Sequence, residues 1–142
     1  NNKKGVINMI NKFLILLAGL LVSSLTIAGH HEESKTIAPV ASVGQVVVVY
    51  EVPCENVASG LAALKDLIAY EASASPIAYS SSPATIGEGA IGAVDLHLSA
   101  SSMEKAVAWQ EGNAKWKALQ ATSLKACDVN VDDIKVTVIA AQ

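Results

Sequence analysis

The sequence predicts an α+β domain in which a four-stranded antiparallel sheet carries two helices on one face. Three observations lead there. Four short runs have the β-branched or alternating character of strands, two longer stretches have helical spacing, and their order is strand, helix, strand, strand, helix, strand. That order is the split βαβ arrangement.

The first strand is Gln45-Val46-Val47-Val48-Val49-Tyr50-Glu51-Val52, bounded by Gly44 and Pro53. Both of its faces are apolar, as in a central strand covered on two sides. A helix follows from Cys54 to about Ala72, where Val57, Leu61, Leu64 and Ile68 form one apolar stripe. Pro76 opens a second extended piece, Ile77 to Ser81, and Ser82 to Gly92 reads as a loop. Ala93 to Ser99 alternates strictly: Val94, Leu96 and Leu98 share one face, Asp95, His97 and Ser99 the other. Ser101 and Glu104 have the spacing of a capping box and open a second helix toward Ala126, with a break expected at Gly112-Asn113. Ile134 to Ile139 is the last strand. Right-handed crossovers place the first and third strands at the centre of the sheet, a ferredoxin-like topology.

The N-terminal part has a different character. Lys12 precedes the apolar run Phe13 to Val22, and Ser23 to Ala28 is more polar. This is the layout of a secretory signal over residues 9–28, cut after Ala28 or Gly29. The run is shorter than the about 20 apolar residues a membrane span requires, so no stable insertion is expected after cleavage. Residues 1–8 precede the first methionine and read as an upstream artefact, and residues 29–43 as a flexible segment before the domain at 44–142. The expected compartment is the periplasm or the cell exterior.

Loss of residues 1–28 removes three of the ten basic residues and none of the thirteen acidic ones, so 7 against 13 remain, a net charge of −6. The chain has no arginine. Nucleic acids and polyphosphates are bound chiefly through Lys and Arg, so both are poor partners for this domain.

The two cysteines supply a check on the topology. Cys54 follows the first strand and Cys127 precedes the fourth, and in this arrangement those ends lie side by side. An exported domain with two cysteines so placed is expected to carry a Cys54–Cys127 disulfide.

The element order, the length, and the stretch Trp109-Gln110-Glu111-Gly112-Asn113-Ala114-Lys115-Trp116-Lys117-Ala118-Leu119 resemble the dimeric α/β-barrel group of ferredoxin-like domains. That group includes antibiotic-biosynthesis monooxygenase-like and stress-responsive barrel families. The resemblance covers Gly44 to Gln142. It implies a homodimer in which two open sheet faces pack together around an apolar cavity.

If Val94, Leu96 and Leu98 face the helices, then Asp95, His97 and Ser99 line that cavity. His97 beside Asp95 is the candidate catalytic pair, as a general base or a ligand-orienting group. Tyr50, Ser99, Thr137 and Trp109 are candidate ligand contacts. Cleavage after Ala28 would expose Gly29-His30-His31, whose nitrogens suit Cu(II) or Ni(II), making His30 and His31 candidate metal ligands. No motif for a nucleophile, a phosphate loop or a bound cofactor occurs, and no cofactor is expected. The leading functional expectation is an exported domain that binds a small apolar molecule. The alternatives are a cofactor-independent monooxygenase-like or isomerase-like enzyme and a structural or protein-interaction module of the cell envelope.

Overall fold

A computed structural model describes residues 38–142. The signal segment 9–28, residues 1–8 and the pair His30 and His31 lie outside the described residues.

The strands are β1 (Val46–Pro53), β2 (Tyr79–Thr85), β3 (Ala90–His97) and β4 (Lys135–Ala140), and the helices are α1 (Val57–Ala74), α2 (Ala100–Gly112) and α3 (Ala114–Ala126). The sheet order is β2-β3-β1-β4, with every neighbouring pair antiparallel. The ferredoxin-like α+β fold expected from the element order is the observed one.

Several boundaries differ from the sequence reading. The second helix is two helices, broken where Gly112-Asn113 predicted. Asn113 has extended backbone, and its side chain accepts from Trp116 N at 3.0 Å, so it ends α2 and caps α3. The cap of α2 is Ser99, which accepts from Ser102 N at 3.2 Å, rather than Ser101. The stretch Ser82 to Gly92 is mostly strand. Its turn narrows to Ile86–Gly89, where Gly87 (φ 59°) and Gly89 (φ 78°) adopt the left-handed backbone that glycine tolerates best, and Ile86 N donates to Ala90 O at 3.0 Å.

The disulfide is present: Cys54 and Cys127 are joined, with Cα atoms 4.4 Å apart. It belongs to the core, with Leu64, Leu67 and Ile91 buried around it and Val52, Val57, Leu61, Ile68, Trp116, Leu119 and Val129 packed against that group. Gly60 of α1 faces the bridge. A Cβ at Gly60 would lie 2.5 Å from each sulfur and 2.9 Å from Ile91 Cδ1, so the helix can approach the bridge only because this residue has no side chain.

The sheet's two faces correct the sequence reading. In antiparallel pairing, partners share a face. Val48 pairs with Asp95, Tyr50 with Ala93 and Val52 with Ile91, and of these Tyr50, Val52, Ile91, Ala93 and Asp95 line one cavity with Leu64, Leu67 and Glu71 of α1. Asp95 and His97 therefore lie under the helices, not on the open side. Val94 and Leu96, half-buried, lie on the open side with Val47 and Val49. Leu98, beyond the strand, is 63% exposed. Alternation defines two faces but does not say which one the helices cover. Here both faces of β1 are apolar, so the helices could cover either, and β3 follows with its polar side inward.

Candidate functional site

Between the sheet and the helices lies a half-open cavity of about 90 Å³. Val52, Leu64, Leu67, Ile68, Ile91, Leu124 and Ile134 supply most of its wall, and Tyr50, Glu71, Ser81, Asp95, Gln110, Trp116, Gln120 and Ser123 carry its polar groups. No Lys, Arg or His lines it.

Local sequence explains how these side chains arrive there. Glu71 follows Leu64 by two helical turns and Leu67 by one, so it falls on the apolar stripe of α1 and enters the core. It is 6% exposed. A carboxylate so placed requires donors. Its Oε1 accepts from the indole Nε1 of Trp116 and from Gln110 Nε2, the latter at 3.2 Å. Gln110 Nε2 also lies 3.2 Å from the Tyr79 hydroxyl, to which it donates. Burial raises the Glu71 carboxyl above its ordinary range, and the Trp116 and Gln110 donors work against that rise.

Asp95 is 3% exposed, and its Oδ1 is buried with no hydrogen-bond partner. Burial pushes its carboxyl from 3.8 up to about 7; the Ser81 hydroxyl beside it pulls the other way, and the charge of Glu71 adds to the rise. Tyr50, on the same face of β1, is pushed up to about 12 by burial and by the charges of Asp95 and Glu71. The Tyr79 hydroxyl is raised likewise, first by burial and then by Glu71.

His97 is 1% exposed and lies beside the cavity rather than in its wall. Its ring stacks on Tyr79, with centroids 5.0 Å apart and planes 22° from parallel. Neither ring nitrogen has a partner, and burial lowers the pKa of the imidazole.

The structure thus brings together only part of the expected set. Tyr50 and Asp95 line one cavity, with His97 next to them. Ser99 does not: it leaves the strand to cap α2. Thr137 does not: it pairs with Val49 on the open face and is exposed. Trp109 does not: it stacks on Tyr70 at 6.3 Å. The cavity lies within one chain, between its own sheet and helices, and not on the open sheet face where the sequence reading placed it. Glu71, Gln110 and Tyr79 were not singled out from sequence, and Trp116 reads there as a helix-packing residue. The available signal was Glu71, a charge set on an apolar helical stripe. Among the described residues, no group of three or more His, Cys, Asp or Glu is placed to hold a metal ion, and no helix is long and apolar enough to cross a membrane.

No protein-family profile and no curated protein matches the chain. Solved structures do. A proposed antibiotic biosynthesis monooxygenase from Caulobacter crescentus CB15 aligns over 70% of this chain and 92% of its own, with 17% identity and a TM-score of 0.51. A conserved protein from Methanosarcina mazei Go1 aligns over 69% and 93%, with 12% identity and a TM-score of 0.52. At these identities the likeness is one of architecture, and the chain shares the ferredoxin-like fold of an antibiotic biosynthesis monooxygenase-like protein.

Proposed function

We propose that this is an exported domain that binds a small, largely apolar molecule in the cavity between its helices and its sheet. The observation behind this reading is the cavity itself: an apolar wall with a few converging polar groups is the usual form of a small-molecule site. Its volume is that of about three water molecules, so it takes a short or narrow group, with any larger body projecting through the mouth. The test is titration with n-butanol and toluene, followed through the indole N–H resonance of Trp116. That resonance is expected to shift on saturation, while the indole of Trp109, outside the cavity, stays put. Ala93→Leu, which fills the cavity from the sheet, is expected to remove the response. An unresponsive Trp116 with both probes ends this reading.

The disulfide and the signal-like segment 9–28 support export. N-terminal sequencing of the secreted product is expected to begin at Gly29 or His30. The apolar open face of the sheet, with Val49, Val94, Leu96 and Ile139, supports a homodimer that covers it.

One observation favours an enzymatic alternative. Asp95 is a buried carboxyl poised near neutral pH in the wall of the cavity, the condition in which a carboxyl exchanges protons with a bound molecule. A cofactor-independent monooxygenase-like or isomerase-like reaction would use Asp95 in contact with substrate, with His97 as its neighbour. Turnover without added cofactor that is lost in Asp95→Asn would favour this reading over simple binding.

A further inference from the structure

Glu71 and Asp95 enter the same small cavity from different elements, one from α1 and one from β3. Both are more than nine-tenths buried. Buried carboxylates are normally matched by a cation or a full set of donors. Glu71 has two N–H donors on one oxygen. Asp95, which lines the cavity, does not: its Oδ1 is buried without a partner, and the Ser81 hydroxyl beside it is unpartnered as well. The basic group beside it is His97, held toward its neutral form by burial, whose Nε2 lies 3.9 Å from Asp95 Oδ2, beyond hydrogen-bond distance. No basic side chain lines the cavity, while two aromatic residues, Tyr50 and Trp116, do.

Each feature bears on ligand chemistry. Once ionised, two carboxyls without a counter-ion repel an anionic ligand and attract a cation. The unpartnered Asp95 oxygen requires a donor, and an ammonium group has three. Aromatic faces attract cations through their quadrupole. The remaining walls are aliphatic and suit a hydrocarbon body. Resting on the reading of this cavity as a ligand site, we propose that its ligand is a primary amine on a short apolar body, its ammonium held by Asp95 and Glu71 and walled by Tyr50 and Trp116.

The affinity has a pH dependence. Asp95 is faced by Tyr50 from β1, Ser81 and Tyr79 from β2, its neighbour His97 on β3, and Glu71 from α1. Among these, Asp95 changes charge near neutral pH and the two tyrosines stay neutral there. Ionisation of Asp95 as pH rises strengthens the attraction for an ammonium and leaves that for an alcohol nearly unchanged.

Calorimetric titration of the disulfide-bonded protein with n-butylammonium, n-butanol and butanoate tests this. The ammonium is expected to bind at least about tenfold tighter than the alcohol, and the alcohol tighter than the carboxylate. Asp95→Asn is expected to erase the advantage of the ammonium while keeping the affinity for the alcohol. Glu71→Gln, a second variant that conserves shape, is expected to reduce the same advantage. If the alcohol binds as tightly as the ammonium, or the carboxylate binds tightest, the cavity stands as an apolar site and the amine assignment is overturned. If none of the three binds, both fall together.

Discussion

The Nε2 of His97 lies 3.9 Å from Oδ2 of Asp95, two residues away on the helix-covered side of β3. The two side chains are neighbours without a hydrogen bond. An ion pair here would require a charged imidazole and a charged carboxylate in an apolar interior. Burial acts against both charges, raising the acid and lowering the base. The pair is therefore driven toward its neutral form, and this sets its pH behaviour.

In the unfolded chain Asp95 titrates at its ordinary 3.8, and in the fold at about 7. Between those values the folded state keeps a proton that the unfolded state has released. The contribution of Asp95 is thus greatest in acid and is lost as pH rises through this window. His97 acts oppositely: below its ordinary 6.5 the unfolded chain takes up a proton that the buried ring resists, so its contribution falls as pH falls. The two slopes partly cancel in the wild type, and Asp95→Asn separates them. The variant is expected to match the wild type near about pH 4 and to exceed it increasingly up to about pH 7, as read from urea midpoints. A pH-independent difference would mean that Asp95 titrates normally.

Glu71 serves two donors at once, and its replacements should divide accordingly. Glu71→Leu leaves the Trp116 indole without its acceptor in a buried site, while the Gln110 amide keeps the Tyr79 hydroxyl. The expected cost is about 1–3 kcal/mol for the donor so stranded. Glu71→Gln keeps an acceptor oxygen and should cost clearly less. Denaturant unfolding of the two variants, compared at one pH, checks the order.

The disulfide closes a loop between positions 73 apart in the sequence. Replacing both cysteines by alanine is expected to cost about 4 kcal/mol, most of it through a freer unfolded chain. Equilibrium unfolding of the double variant in urea, set against the oxidised protein, measures this directly.

Gly60 offers a sharper test of the same region. Alanine in a helix ordinarily gains up to about 1 kcal/mol over glycine. At Gly60 the added methyl meets both sulfurs and Ile91, and overpacking of this kind costs about 1–3 kcal/mol. Gly60→Ala is expected to lower Tm. Gly112→Ala is the control: nothing lies within 4 Å of its added Cβ, so it should be neutral or stabilising.

The open sheet face should report on assembly. Leu96 is half-buried there, next to Val47 of β1. Leu96→Glu places a charge on the face proposed to be covered by a second copy. Sedimentation velocity is expected to show a dimer for the parent chain and a monomer for this variant, with the disulfide and thermal unfolding signal retained.

The element order, the sheet topology, the break at Gly112-Asn113 and the Cys54–Cys127 bridge were legible from the sequence. They rest on local periodicity, on turn chemistry and on the few ways a split βαβ unit can be connected. The position of the candidate site was not. Alternation in β3 separates Asp95 and His97 from Val94 and Leu96, yet a period of two carries no sign and cannot say which side the helices cover. Only tertiary packing decided it. Helix α1 meets the face that carries Tyr50 and Asp95, and α3 brings Trp116 onto Glu71 across the break. A hydrogen bond between residues 45 apart in sequence leaves little local signature, so the polar group in the cavity became visible only once the helices were in place.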